Sequence, residues 1–348
     1  MIQNPYKFDI NDEIGGIVAR IATDIDFFKD KSLLITGATG FFGWWLLSVL
    51  RKLNRHYDCR MRLYAVTRNE GAFLKKYPHF GDDVTFLEGD LRSICLESLK
   101  IDYCFHMATT NASETFHGEV QLNKIDLLYL GTKNLMSELV RAGVQKVVFT
   151  SSGVVYGALS KQADYIESSR MGPVTTDPAS ALGEGKRLAE YLTAYYCESE
   201  GISYNIGRCF SFVGPLLPLN LHYAIGNFIY DALNEEVISV KGTGRDIRSY
   251  LYVGDAISWL LALMISPRKN EVYNIGSSRS LSILALAELV RDLLAPNKKV
   301  IVRNQSKTSD NFDRTIYVPN TEKIIQDLGV KERSSLDEAI LKTAAYAT

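Results

Sequence analysis

Three glycines spaced three residues apart, in Gly37-Ala38-Thr39-Gly40-Phe41-Phe42-Gly43, follow an apolar run from Ser32 to Thr36 and precede a helical pattern through Leu53. This order of strand, glycine loop and helix restricts the chain more than any other feature. Glycine permits the tight turn and lets backbone N–H groups approach a pyrophosphate at the positive end of the following helix. Glycines also mark ordinary turns, so the spacing alone is a weak signal. The flanking strand and helix are the context a dinucleotide site requires. On this reading Gly37, Thr39, Gly40, Phe41, Phe42 and Gly43 form a cofactor loop.

The chain beyond Leu53 repeats the theme. Short apolar segments at 62–66, 84–87, 103–107, 146–150 and 204–209 read as strands, and the patterns at 122–142 and 179–199 read as helices. Such alternation predicts a doubly wound α/β (Rossmann) fold, a parallel sheet covered on both faces. Beyond Pro215 it gives way to loops rich in Pro, Gly and Asn, with helices near 222–234, 255–265, 282–294 and 335–346. A smaller C-terminal substrate-binding lobe is expected there. Expected domains are an N-terminal helical extension over 1–30, a dinucleotide-binding domain over 31–214, and a mainly substrate-binding lobe over 215–348. Segments near 247–277 return to the dinucleotide-binding domain. In the extension, Asn11 can cap a helix over 11–24 whose face Ile14, Ile17, Val18 and Ile21 packs on the body.

Other candidate cofactor residues sit at strand ends. Asp90 and Leu91 close the third strand, where an adenine ring would lie, and His106-Met107-Ala108-Thr109 closes the fourth, beside the pyrophosphate. Each has a plainer reading: Asp90 as a helix cap, His106 as a satisfied core residue. The second strand ends Val66-Thr67-Arg68-Asn69 without the acidic residue that would bind ribose hydroxyls and repel a 2′-phosphate. Arg68 can clamp that phosphate and Thr67 can add a hydroxyl. NADP(H) is therefore the favoured cofactor and NAD(H) the other reading.

Composition excludes several classes. With 39 basic against 40 acidic side chains there is no surplus for nucleic acid. No stretch approaches the roughly 18 apolar residues of a membrane span, and the start of the chain lacks signal-peptide character. Cys59, Cys95, Cys104, Cys197 and Cys209 form no Cys-x-x-Cys pair and read as buried thiols. Five scattered histidines make no metal pattern. A cytoplasmic protein without a metal is expected.

The ordered segments TGATGFFG (36–43), GDL (89–91), HMA (106–108), GT (131–132), SSGVVYG (151–157), GEGKRLAE (183–190), GRCFSFVGP (207–215), IRSYLYVGD (247–255) and YNIGS (273–277) carry a resemblance. Over residues 32 to about 345 the chain resembles the extended short-chain dehydrogenases/reductases, in particular their nucleotide-sugar epimerases, dehydratases and decarboxylases. The resemblance implies a nucleotide-diphosphate sugar as substrate. It further implies that Ser152 bonds the reacting sugar hydroxyl and that Lys186 grips the nicotinamide ribose. Arg248 would pair with the diphosphate, with Asn227 and Ser211 on the substrate side. It implies a homodimer built on the helices near 122–142 and 179–199, for which Leu128, Leu135 and Leu139 offer apolar surface, part of which can instead face the sheet.

Two positions depart from that pattern. Four residues before Lys186, one helical turn away, the family keeps the tyrosine that serves as general base; here stands Leu182. Gly153-Val154 occupies the place where the family's dehydratases carry an Asp-Glu pair. A water held by Ser152, Tyr156, or the substrate itself could act as the base. Otherwise the chain is a nucleotide-sugar dehydratase (lyase) with a non-standard base, or a non-catalytic nucleotide-sugar-binding subunit. Epimerisation or net oxidoreduction through oxidation of a ring carbon is the leading expectation.

Overall fold

The computed structural model describes residues 8–110, 118, 120–157, 165–221, 223–304 and 315–348. Its centre is a seven-stranded parallel sheet. The strands are β1 (Ser32–Thr36), β2 (Arg62–Thr67), β3 (Val84–Glu88), β4 (Tyr103–His106), β5 (Lys146–Ser152), β6 (Ser203–Cys209) and β7 (Glu271–Ile275). Their spatial order is β3-β2-β1-β4-β5-β6-β7. The order reverses between β1 and β4, and at such a switch point the loops leaving the two strands diverge and open a crevice. β1 is buried at every residue, as a strand covered on both faces must be.

The helix α1 (Ile10–Ile21) buries Ile14, Ile17, Val18 and Ile21. It lies against α2 (Phe41–Tyr57) and the helix Val253–Ile265. Burying each such side chain is worth about 1.5–3 kcal/mol. Glu13 anchors the helix further, accepting from Tyr252 at 3.0 Å and pairing with Lys342 at 2.6 Å. The N-cap is Asp9, whose carboxylate accepts the N–H of Asn11, and not Asn11 itself. The helix ends at Ile21, and a 3₁₀ stretch (Ala22–Phe27) continues it.

The helix expected over 122–142 is not uniform. Gln121–Asp126 and α3 (Thr132–Arg141) are joined by a π-helical stretch, Leu127–Gly131. Leu128, Leu135 and Leu139 all face inward, at most 1% exposed, so they are core and not dimer surface. The exposed apolar side chains here are Val120, Leu122 and Leu130, with Tyr191 and Tyr195 on the adjacent helix α4 (Ala181–Ser199). Among the cysteines, Cys95 departs from expectation by being exposed.

Beyond Pro215 lies the C-terminal lobe. Its strands are too short for period-two patterning to reveal them. Val237–Val240 pairs with Lys299–Val302, and Ile247–Ser249 lies between Ser280–Ser282 and Ile316–Tyr317. Trp45 of α2 donates its Nε1–H to Pro215 O at 2.9 Å, fixing the entrance of the lobe against the glycine-loop helix. No helix among the described residues is long and apolar enough to cross a membrane.

Candidate active site

The glycine loop is built by close backbone approach. Gly37 has φ +68°, and a Cβ there would stand 2.8 Å from the carbonyl carbon and oxygen of Met107. Only glycine lets the end of β1 pass the end of β4 so closely. A Cβ on Gly43 would overlap the Gly37 carbonyl. Gly40 is the N-cap of α2, and no side chain caps that helix. The first N–H groups of α2 are therefore left to a ligand at the helix's positive end. This uncapped cradle fits a pyrophosphate.

Thr36 ties the two strand ends together. Its Oγ1 accepts the N–H groups of Met107 and Ala108, each at 3.1 Å, and lies 2.8 Å from His106 Nδ1. A hydroxyl has two lone pairs and one hydrogen, so with both lone pairs engaged it donates to Nδ1. His106 is then neutral and protonated at Nε2, which donates to Thr132 Oγ1 at 3.0 Å. Burial and the charge of Lys186 pull its pKa down to about 3. His106 is thus a core histidine that shapes the loop. Met107 is buried beside it, Ala108 is half-buried and Thr109 exposed.

At the strand ends where an adenine is expected, Thr67 is buried and Arg68 exposed. The Asp90 carboxylate is gripped by the fork of Arg92 at 2.9 and 2.7 Å and accepts the Arg92 N–H at 2.8 Å. The Arg92 hydrogen bond lowers its pKa to about 2. Leu91 is buried. An acid does stand next to Thr67, but it comes from the neighbouring strand. Glu88 is in register with Thr67, and its carboxylate accepts the N–H of Glu70 at 2.8 Å. Reading β2 alone could not find it.

The residues expected at the reacting end, Ser152, Leu182 and Lys186, lie on β5 and α4, which pack together. Lys186 is buried and donates to Thr150 O at 2.7 Å, its only acceptor among the described residues. Desolvation lowers its pKa to about 8. Two residues beyond Thr150, Ser152 is half-buried. Its Oγ accepts the Val154 N–H at 3.3 Å. Leu182 is half-buried, one turn before Lys186 on α4. Gly183 and Gly185 let the helix settle here: a Cβ on Gly183 would meet Val154 O at 2.8 Å, and one on Gly185 would meet Leu128 Cδ1 at 2.7 Å.

Tyr156 is not a free base. It is buried, and its hydroxyl donates to Asn274 Oδ1 at 2.8 Å. The Asn274 amide in turn donates to Tyr165 O and Asn320 O. Desolvation pushes its pKa up. Its role is to anchor the turn after β5.

From the lobe, Arg248 donates to Ile247 O at 2.8 Å, to Thr315 O at 3.2 Å and to Thr315 Oγ1 at 3.0 Å. Asn227, in the helix Ala224–Asn234, and Ser211 are half-buried. Sequence reasoning missed Tyr317. It is paired in register with Arg248, and its hydroxyl would stand 2.7 Å from a Cβ placed on Gly153. No motif surrounds it in the sequence, and its neighbours are far away along the chain.

Residues 33–276 match the model of the family described as NAD dependent epimerase/dehydratase. UDP-glucuronic acid decarboxylase 6 of Arabidopsis thaliana is 27% identical over 318 residues, 90% of this chain and 88% of the relative. UDP-glucuronic acid decarboxylase 1 of Xenopus tropicalis is 26% identical over 250 residues, 71% of this chain and 57% of that protein. Among solved structures, UDP-glucose 4-epimerase of Thermotoga maritima aligns with a TM-score of 0.73 at 21% identity, over 91% of this chain and 98% of that one. UDP-N-acetylglucosamine 4-epimerase of Methanobrevibacter ruminantium M1 aligns at 0.75 and 22%, over 92% and 98%. These two share the fold.

Proposed function

The chain belongs to the NAD-dependent epimerase/dehydratase family, and on that premise we propose that it modifies a nucleotide-diphosphate sugar by hydride exchange at a ring carbon. The observation that carries this reading is the placement of Lys186, buried and fixed on Thr150 O, beside the strand end that presents Ser152. A buried ammonium with one protein acceptor has N–H groups left for ribose hydroxyls, and the adjacent serine can bond a sugar oxygen. The uncapped α2 terminus and the glycine cradle support the dinucleotide assignment. The nicotinamide, when bound, accepts or returns the hydride.

Arg248 supports a diphosphate next to the sugar, since a guanidinium can clamp phosphate oxygens in bidentate fashion. Asn227 and Ser211 belong to the same substrate side. Between cofactors, the absence of an acid on β2 and the position of Arg68 favour NADP(H). Glu88 weighs toward NAD(H), although its carboxylate already caps a helix. The assembly is a homodimer, on the apolar side chains exposed on α4 and the segment before α3.

Incubation with a panel of nucleotide sugars, with product mass as readout, tests the reading. Epimerisation returns an isomer of unchanged mass, and net oxidoreduction a product two hydrogens different. A loss of one water means a lyase. Binding without any product means a non-catalytic subunit and overturns the reading.

A further inference from the structure

The N-terminal helix α1, α2 and the last helix (Leu336–Ala347) together wall a cavity of about 780 Å³. That volume is ordinary for a small-molecule site, roughly 300–1,000 Å³. None of the candidate cofactor or substrate residues lines it. From α2 it is lined by Trp44, Ser48, Arg51, Lys52 and Arg55. Their spacing keeps them on one side of the helix and, at 1.5 Å per residue, spreads them over about 16 Å.

The two ends of this stripe differ in chemistry. At the Trp44 end the wall is aromatic. Tyr77 also lines the cavity, its ring centroid 5.8 Å from that of Trp44, and Tyr346 adds a ring from the last helix. Trp44 is 7% exposed, and its Nε1–H has no acceptor among the described residues. The indoles of Trp45 and Trp259 donate to Pro215 O and Lys331 O. A buried donor left unpaired is costly, and the one at the cavity wall calls for a partner.

Toward Arg55 the wall is cationic. Arg51 is held by Asp83 and His79 O, with its guanidinium 4.5 Å from the Phe80 ring. Lys52 donates to Asn11 O of α1 at 2.7 Å. Arg55 is exposed and pairs with Asp83 at 2.7 Å and Asp82 at 3.6 Å. Three cations thus stand against two carboxylates, and neither aspartate lines the cavity. His79, also on the wall, registers that balance. Burial, then the charges of Arg51 and Arg55, lower its pKa against the opposing pull of Asp82 and Asp83. An ammonium carries three donors and a guanidinium five, so Lys52 and Arg55 keep donors for an anion.

We propose that this cavity is a second nucleotide site, apart from those for the dinucleotide and the sugar substrate. The base of a nucleoside diphosphate packs against Trp44, Tyr77 and Tyr346, and its phosphates are held by Lys52 and Arg55. Flat rings pack on aromatic walls, and a guanidinium matches phosphate oxygens two at a time. A nucleotide engages both ends of the stripe, whereas an inorganic anion engages only one.

The test uses the full-length protein with ADP, UDP and pyrophosphate as probes. The chain has three tryptophans, so a heteronuclear NMR spectrum resolves three indole N–H signals, and Trp44→Phe identifies one of them. ADP and UDP are expected to move the Trp44 signal saturably, and pyrophosphate to do so at least roughly tenfold more weakly. Arg55→Gln and, separately, Lys52→Gln should each weaken the nucleotides' effect by roughly tenfold, as loss of a charge-assisted contact implies. Their melting temperatures and their NADP⁺ affinity in calorimetry should stay at wild-type values. A Trp44 signal that ignores both nucleotides overturns the proposal. So does a shift with the same concentration dependence in both variants, which would report the glycine loop next to Trp44. Pyrophosphate acting as strongly as the nucleotides also overturns it, leaving a site for anions alone.

Discussion

Thr36 Oγ1 stands 2.8 Å from His106 Nδ1 and accepts two backbone N–H groups from the residues that follow the histidine. One hydroxyl therefore serves three partners at the point where β1 and β4 diverge. Thr36→Val keeps the shape and strands all three. Leaving buried groups unpaired costs about 1–3 kcal/mol each, and partial rearrangement brings the expected total to about 2–4 kcal/mol. Urea unfolding of the variant measures it, and a loss below about 0.5 kcal/mol would mean the network does not hold the loop.

The same pair makes the fold sensitive to acid. His106 ordinarily titrates near 6.5, and in the fold burial and Lys186 bring it to about 3. Between these values the unfolded chain binds a proton that the folded protein refuses, so stability falls as pH is lowered. The contribution is fully present above pH 6.5 and drains away toward pH 3. Unfolding free energies measured between about pH 4.5 and 7 should fall less steeply in His106→Gln than in wild type. Parallel slopes would show that another group carries the acid sensitivity.

The two outer functions of the glycine loop can be separated. Gly40 has an extended backbone that any residue adopts, and a Cβ there meets nothing closer than Gly37 O at 3.4 Å. Gly40→Ala should fold with a near-native melting temperature and still lose dinucleotide affinity by roughly tenfold or more, because its methyl obstructs the pyrophosphate's approach. Gly43→Ala instead overlaps the Gly37 carbonyl and should destabilise the fold itself. Calorimetry with NAD⁺ and NADP⁺ beside thermal melts distinguishes the two outcomes.

The proposed NADP(H) preference rests on Arg68, which lies close enough to Asp90 to help lower that carboxyl's pKa. Arg68→Ala should weaken NADP⁺ binding by roughly tenfold or more, the worth of a charge-assisted contact, and NAD⁺ binding far less. Equal weakening of both dinucleotides would remove the case for NADP.

The glycine loop and the alternation of strands and helices could be read from the sequence because both are local. Three glycines beside an apolar run, and apolar segments of strand length, need no knowledge of distant residues. Tyr317 could not be read, since its meaning depends on Gly153, Phe210 and Arg248, which only the folded chain brings together. Glu88 escaped for a similar reason, arriving beside Thr67 from the next strand. The orientation of Leu128, Leu135 and Leu139 failed differently. The helical segment carries apolar residues on more than one side, and periodicity does not say which side meets the sheet. The π-helical stretch at Leu127–Gly131 also shifts the register by which faces would be counted.

That correction moves the expected dimer surface without removing it. Leu122 is 69% exposed, Leu130 42%, Tyr191 62% and Tyr195 57%, with the two tyrosine rings stacked at 6.0 Å. The segment bearing Leu122 packs against α4, which carries both tyrosines, so the four lie on adjacent helices. A stacked pair of exposed tyrosines on α4, with exposed leucines on the helical segment packed against it, offers apolar area for a partner. A second copy related by a two-fold axis would bury each patch against its own equivalent. A stable interface of this kind covers about 800 Å² per partner, within reach of two helices. The wild type should therefore sediment as a dimer at micromolar concentration. Replacing Leu122 and Tyr191 together by glutamate sets like charges against each other across the axis. The variant should sediment as a monomer and keep its secondary structure. A wild type that is monomeric at that concentration, or a double variant that remains dimeric, would place the interface elsewhere.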